Sequence, residues 1–359
     1  MINVTKTYLP NQDKYKQYVD LIFKSGWLTN NGAVIQKLED ELKQFLNAEY
    51  IILTVNGTCA LQLAFKLLGL KGDVITTPFT FVATVSSLVW EGLNPVFADI
   101  DEKTLNIDPR NIETKITDKT CAVLPVHVFG NPCDTDEIQK IAKAGNLKVV
   151  YDAAHAFDVR LNTRSISNFG DIAVYSFHST KIFHTIEGGA LVLQSKEMYD
   201  KAVLMRNFGI PGYDKITELG VNYKMNEFQA AMGLCVLNDF NDISQMRKSV
   251  YMRYFDAFTS IKQLKLQHIS DNVKQNYSYF PVIFKDEQTL LSVKNSLNSE
   301  NIFPRRYFYP SLNELPYLSH KQSTPVSEHI SRCILCLPLY AGLEAAIQDQ
   351  IIETVIKYA

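Results

Sequence analysis

Tyr175-Ser176-Phe177-His178-Ser179-Thr180-Lys181 places a charged amine at the end of an uncharged, partly apolar run. It lies between a strand-like segment, Asp171 to Phe177, and the loop Glu187-Gly188-Gly189. Desolvation is costly for an ammonium and pushes a lysine pKa down from about 10.4. A neutral amine attacks carbonyls, so Lys181 is a candidate for Schiff-base chemistry. An isolated lysine more commonly snorkels to water, and the surrounding chain decides between the two.

Outward from that run, short apolar strands alternate with amphipathic helices. Ile51 to Val55, Asp73 to Thr77, Asn94 to Ala98, Cys121 to Val126 and Lys148 to Tyr151 read as strands. Cys59 to Leu68, Phe81 to Glu91 and Asp134 to Ala144 read as helices. Alternation with crossovers of ten or more residues predicts an α/β fold with a mostly parallel sheet covered on both faces. Ligands of such sheets gather at the carboxyl ends of the strands. Asn56-Gly57-Thr58, Pro78 to Phe81, His127 and Asp152 therefore belong to one rim. A long helical stretch, Asn226 to Phe258, leads toward a smaller C-terminal α+β domain with a strand at Tyr277 to Phe284 and helices at Glu287 to Glu300 and Ala345 to Tyr358. The boundary falls between a large domain, 1–240, and a small one, 241–359.

With 46% hydrophobic and 21% charged residues, the 359-residue chain has the composition of a globular protein with a substantial core. A formal net charge of −2 gives no electrostatic reason to expect nucleic acid or an anionic membrane. There is no apolar signal core at Met1 to Lys6 and no apolar run of membrane-spanning length, so a cytoplasmic location is the default expectation. Six scattered cysteines suit reduced thiols. Cys333 and Cys336 form a C-x-x-C, but Cys333 to Pro338 reads as a buried strand without nearby metal-ligand partners.

Four features accompany Lys181. At Val55-Asn56-Gly57-Thr58 a strand ends, a glycine turns and a helix begins, which makes Gly57 and Thr58 a candidate phosphate site. Asp152 follows the strand Lys148 to Tyr151 at the rim. Buried there it needs a cationic partner, and a protonated heteroaromatic nitrogen qualifies. The Ser176 hydroxyl leaves the same strand exit as Lys181 and can reach a phosphate held by Gly57 and Thr58. Phe81 can stack on a planar ring. A phosphate cradle, a stacking aromatic, a carboxylate for a ring nitrogen and an amine for an aldehyde are the requirements of pyridoxal 5′-phosphate.

The chain also resembles the DegT/DnrJ/EryC1/StrS sugar aminotransferases, within the fold type I pyridoxal-phosphate enzymes. The likeness runs from Ser25-Gly26-Trp27-Leu28-Thr29 through Asn56-Gly57-Thr58, Thr76 to Thr84, Asp152-Ala153-Ala154-His155-Ala156, Ser176 to Lys181, Glu187-Gly188-Gly189-Ala190 and Gly220 to Met225. The resemblance implies a seven-stranded, mostly parallel central sheet and a homodimer with shared active sites. It assigns the Schiff base to Lys181, the pyridine nitrogen to Asp152, and the ring faces to Phe81 and His155. Gly57, Thr58 and Ser176 hold the phosphate, and Asn222 reaches the neighbouring subunit's cofactor. A branch of the family with histidine at the lysine position performs dehydration, and lysine here speaks against it. Phe208 and Asn31 stand where His and Gly are commoner in the family.

By the same resemblance the amino donor is L-glutamate and the acceptor a keto sugar on a nucleotide diphosphate. The leading expectation is conversion of dTDP-4-dehydro-6-deoxy-D-glucose to dTDP-4-amino-4,6-dideoxy-D-glucose, a sugar for a bacterial surface polysaccharide. The alternatives are C3 amination of a dTDP-3-keto-6-deoxyhexose and a non-catalytic cofactor- or sugar-binding regulator. A nicotinamide oxidoreductase requires a G-x-G-x-x-G, which Asn56-Gly57-Thr58-Cys59-Ala60-Leu61 lacks. Arg305, Arg306, Tyr307 and Tyr309 are candidates for the charged nucleotide tail. Thr29, Asn31, His178 and His184 are further substrate-binding candidates.

Overall fold

The computed structural model describes residues 1–318 and 320–358. Its core is a seven-stranded sheet. In chain order the strands are β2 (Tyr50–Thr54), β3 (Asp73–Thr76), β4 (Asn94–Phe97), β5 (Thr120–Leu124), β6 (Lys148–Asp152), β9 (Ile172–Ser176) and β10 (Gly189–Leu193). They are ordered β2-β10-β9-β6-β5-β3-β4 across the sheet. A short strand β1 (Ile2–Asn3) lies outside this sheet, and β7 (Arg160–Leu161) and β8 (Arg164–Ser165) form a small hairpin extended by Val273–Lys274. From β4 to β9 the neighbours run parallel, whereas β10 is antiparallel to both β9 and β2.

Period-2 alternation divides this sheet between two apolar layers. Leu53, Ile75, Val123, Val149 and Tyr151 face one layer with α1 (Gln12–Ser25), α2 (Ala33–Leu46) and the helix Glu227–Asn238. Ile52, Val74, Ala122, Val150 and Val174 face the other with α3 (Gly57–Leu67) and the helix Lys196–Met205. Burial on both faces explains why these strands read as nearly unbroken apolar runs. The exposed edge of β4 is closed by Gln322, which accepts from the Phe97 N–H at 2.7 Å and donates to the Pro95 carbonyl at 2.9 Å.

Two sequence expectations are corrected. The stretch Asn226 to Phe258 is two helices, Glu227–Asn238 and Phe240–Phe258, separated at Asp239 (φ −95°, ψ 4°). The Asp239 carboxylate is drawn to α1 and the segment before it, accepting from Tyr8 Oη at 3.1 Å and Lys14 Nζ at 3.3 Å. Cys333 ends the helix Pro325–Cys333, and the strand begins only at Ile334. All six thiols are free.

The C-terminal part is an antiparallel three-stranded sheet of Lys265–Leu266, Phe280–Ile283 and Ile334–Leu337. With the helices Glu287–Ser299 and Ala345–Tyr358 it encloses its own cluster, including Tyr254, Phe280, Leu290, Leu335 and Ile351. The β1 strand pairs with Ile302–Phe303, so the N-terminal residues Ile2 and Asn3 join this part. The cluster on the large sheet runs to Ile243 and that on the C-terminal sheet contains Val250, so we propose that the domain boundary lies in the first turns of the helix Phe240–Phe258, a few residues beyond 240/241.

Candidate active site

The α3 helix starts directly beyond β2, and its first N–H groups, those of Gly57 and Thr58, have no partner within the helix. Asn56 caps it by accepting from the Cys59 N–H at 2.8 Å. A Cβ on Gly57 would lie 2.9 Å from the Cβ of Ser176, and one on Gly189 would lie 2.6 Å from the Asn56 carbonyl carbon. Two glycines thus let the start of α3 settle between the ends of β9 and β10. Anions are stabilised at such a helix start by free N–H groups and the helix dipole.

These residues open on a cavity of about 400 Å³ at the carboxyl ends of the strands. Gly57, Thr58, Phe81, Asp152, His155 and Ser176 line it. Lys181, His178, Glu187, Arg305, Tyr307 and Phe308 line it as well. The structure therefore gathers positions spread over two and a half hundred residues into one pocket, walled by the large sheet's strand ends and by Tyr279, Arg305, Tyr307 and Phe308 of the C-terminal part.

Asp152 is buried at the end of β6. Oδ1 accepts from the Ala154 N–H at 3.1 Å and Oδ2 from the Thr84 hydroxyl at 2.8 Å. Burial raises its pKa, opposed by the Thr84 and Ala154 hydrogen bonds and by the charge of Lys181. Burial also pulls Lys181 down to about 8, against the opposing field of Asp152. A fraction of the amine is thus neutral near physiological pH.

His155 is buried in a triangle of near-parallel rings, its centroid 6.2 Å from Phe129 and 5.8 Å from Phe308, which lie 5.6 Å from each other. Its Nδ1 accepts from the Phe129 N–H at 3.3 Å, and burial, reinforced by Lys181, depresses its pKa well below the ordinary value. Phe81 precedes the helix α4 (Val82–Trp90), lines the pocket and is 48% exposed, so it is free to pack on a bound group.

The other substrate-binding candidates separate into two groups. His178 lies at the pocket wall, with Nδ1 2.8 Å from Thr180 Oγ1 and Nε2 3.5 Å from Glu187 Oε1. Arg305 also lies at the wall, its guanidinium 4.6 Å from the Tyr307 ring centre. His184 is buried outside the lining, with Nε2 bonded to the Tyr8 carbonyl at 2.8 Å and Nδ1 accepting from the Ile186 N–H at 3.3 Å. Arg306 turns away to Glu287 at 2.6 Å and the Arg332 carbonyl at 3.2 Å, and it stacks on the half-exposed Tyr309. Asn31 accepts from Arg206 at 3.3 Å, which directs its side chain toward a buried ion pair. Thr29 and Asn222 are exposed and outside the lining of this chain's pocket.

Sequence reasoning gave no role to Thr80, Thr84, Tyr279 or Glu187, all at the pocket wall. Thr80 and Thr84 carried a usable signal, since hydroxyls four residues apart at a helix start share one face.

A depressed lysine facing a buried carboxylate beside an anion-binding helix start defines a class, the enzymes that work through a carbonyl group held at a lysine. The chain belongs to the DegT/DnrJ/EryC1/StrS aminotransferase family, whose pattern matches residues 11–356. It is 45% identical to a dTDP-4-amino-4,6-dideoxy-D-glucose transaminase of Shigella dysenteriae, over 99% of this chain and 98% of that protein. It is 36% identical to a transaminase of the same description from Escherichia coli, again over 99% and 98%. The crystal structure of DesI in the presence of its TDP-sugar product superposes with a TM-score of 0.93 at 30% identity, covering 99% of this chain and 92% of that one. The large, mostly parallel sheet accordingly has the architecture of the aminotransferases.

Proposed function

We propose that this chain uses pyridoxal 5′-phosphate to move an amino group from L-glutamate to C4 of dTDP-4-dehydro-6-deoxy-D-glucose, forming dTDP-4-amino-4,6-dideoxy-D-glucose. The observation that carries the chemistry is the shared pocket of Lys181 and Asp152, each shifting the other's charge equilibrium. The descriptions of the 45% and 36% identical relatives support the choice of sugar.

The residues fit this cofactor. Gly57, Thr58 and Ser176 form a cradle that a Cβ on Gly57 would fill, suited to its phosphate. Asp152 suits the ring nitrogen, Phe81 and His155 the ring faces, and Lys181 the aldehyde. When bound, the group supplies an electron sink for the charge left as a proton departs from carbon.

Lys181 takes a proton from Cα of the donor and, in the second half-reaction, gives one to the sugar carbon that receives nitrogen. Its depressed pKa suits both directions near neutral pH. Asp152, held by two hydrogen bonds, keeps a negative charge aimed at its partner. Arg305 meets the diphosphate at the pocket wall, and Tyr307 holds that guanidinium in place. We assign Asn222, exposed on this chain, to the phosphate site of a partner subunit in a homodimer.

The test is an absorbance titration of the cofactor-loaded protein. L-Glutamate removes the visible band and dTDP-4-keto-6-deoxyglucose restores it. Loss without recovery retains the transaminase and redirects the substrate to a 3-keto sugar. A protein that takes up no cofactor refutes the reading, including its use as a cofactor-binding regulator.

A further inference from the structure

Asp152 is fastened from a direction that its role does not require. Its Oδ2 accepts from Thr84 Oγ1 at 2.8 Å, and Thr84 Oγ1 lies 2.9 Å from Thr80 Oγ1. Both threonines are buried, at 1% and 2% exposure. A hydroxyl has a single proton, and an ionised carboxylate only accepts. Thr84 therefore gives its proton to Asp152, which fixes the direction of the second bond: Thr80 donates to Thr84. The result is a two-hydroxyl chain ending on one carboxylate oxygen, in a setting dry enough for each bond to polarise the next.

The chain also has a mechanical side. Thr80 and Thr84 bracket Phe81, and the Thr84 N–H closes the first turn on the Phe81 carbonyl at 3.1 Å. A bond from Thr84 to Asp152 thus fixes the start of α4, and with it Phe81, relative to the end of β6. The group that meets the ring edge and the group that meets the ring face are set by one contact.

We propose that Thr84, backed by Thr80, is a positioning residue that holds Asp152 ionised and in register with Phe81, and so sets the strength with which the site grips a protonated ring nitrogen. This rests on the cofactor reading above. The Thr84 bond acts against burial, which favours the neutral acid. The other titratable groups around Asp152 are Lys181 after β9 and Cys133 after β5, His155 in the same pocket lining, and His127, whose backbone N–H bonds the Asp152 carbonyl at 3.1 Å. Lys181 assists ionisation, burial keeps the Cys133 thiol protonated, and burial keeps both histidines neutral.

The experiment measures the dissociation constant of pyridoxal 5′-phosphate from the apo-protein by equilibrium dialysis between pH 5 and 8. The proteins compared are the parent, Thr84→Val, Thr84→Ser, Thr80→Val and Asp152→Asn, with melting temperature as the folding control. Deleting a bond that lowers the Asp152 pKa raises that pKa, so the loss of affinity in acid moves to higher pH. Thr84→Val is expected to weaken binding about tenfold at pH 7, the scale of a charge-assisted hydrogen bond. Thr84→Ser keeps the hydroxyl and should stay within about twofold of the parent, whereas Thr80→Val, which removes only the outer link, should lose about threefold. Asp152→Asn abolishes the acid limb. Parental affinity and an unmoved limb in Thr84→Val and Thr80→Val, with Asp152→Asn weakened, would overturn the relay and leave the cofactor reading intact. Parental binding by Asp152→Asn would overturn the role of Asp152 itself and the relay with it. If Thr84→Val does not fold, Thr84→Ala takes its place, since it removes the same hydroxyl without the second methyl group, and it is read by the same criteria.

Discussion

Gly57 and Ser176 stand so close that a methyl group on Gly57 would sit 2.9 Å from the serine Cβ and 3.1 Å from its Cα. Neither neighbour is the end of a flexible side chain. A glycine at the start of α3 is therefore a condition for bringing free helix N–H groups and the Ser176 hydroxyl to one anion.

Gly57→Ala follows from that contact. Overpacking of this kind costs about 1–3 kcal/mol, and relief requires α3 to retreat from β9. The variant is expected to fold with a lowered melting temperature and to bind pyridoxal 5′-phosphate at least about tenfold more weakly, the equivalent of roughly 1.4 kcal/mol. Calorimetry and equilibrium dialysis check the two halves separately. Unchanged affinity in a folded protein would remove the phosphate from this turn.

Lys181→Met separates chemistry from stability. In the folded protein the amine titrates near 8, whereas unfolded it titrates near 10.4. Between those values the unfolded chain binds more protons, so this group makes stability rise with pH. Below 8 the folded protein bears the full cost of a desolvated charge. The methionine variant should lose transamination, melt no lower than the parent at pH 7, and show a smaller rise in stability from pH 8 to 10. Thermal melts of the apo-protein across that range, where the amine is free, test it; a variant that melts clearly lower at pH 7 would show that the charged amine stabilises the fold.

Arg206 and Glu39 form a buried pair at 2.9 Å, with 7% and 6% side-chain exposure. Glu39 also accepts from the Leu53 N–H at 3.2 Å, and Arg206 donates to the Leu53 carbonyl at 2.9 Å and to Asn31 at 3.3 Å. The pair ties α2 to β2 and to the turn carrying Asn31. Arg206→Ala leaves an uncompensated buried carboxylate and should cost about 3–5 kcal/mol, read from urea denaturation. Replacing both residues with apolar ones of similar size should recover much of that loss.

The central sheet was legible because strand identity here is a local property. Ile51-Ile52-Leu53 and Val149-Val150-Tyr151 are buried on both faces, and short apolar, β-branched runs followed at once by turn or polar residues read as covered strands. The gathering of Gly57, Asp152, Ser176 and Lys181 followed from one rule about strand ends. Choices of partner across the chain were not legible. At the break, Asp239 bonds Tyr8 and Lys14, more than two hundred residues away. The spacing around Lys181 gives His178 and His184 equal standing, yet the Tyr8 carbonyl claims one while the pocket keeps the other. The strand Gly189–Leu193 was not read as a strand, and only its start was named, as the end of the loop Glu187-Gly188-Gly189, because its place between β2 and β9 is set by pairing.

The adjacent arginines 305 and 306 are chemically alike, and the fold makes them unequal. Arg306 has its guanidinium at 2.6 Å from Glu287, bonded to the Arg332 carbonyl and laid against the Tyr309 ring. Reaching a substrate would require breaking those contacts. Arg305 is exposed at the pocket wall, stacked on Tyr307 and anchored by backbone bonds to Cys336 at 3.1 and 2.9 Å. A diphosphate held equally before and during the reaction contributes to KM and leaves kcat alone. Arg305→Ala is thus expected to raise KM for the nucleotide sugar by about tenfold or more, the scale of a charge-assisted contact, with kcat and the half-reaction with L-glutamate near parental. Arg306→Ala should leave KM near parental and lower the melting temperature instead, through loss of the Glu287 pair. Steady-state kinetics on both variants, with single-turnover measurement of the glutamate step, decides the matter. The reverse pattern would move the nucleotide tail to the Arg306 side of this turn.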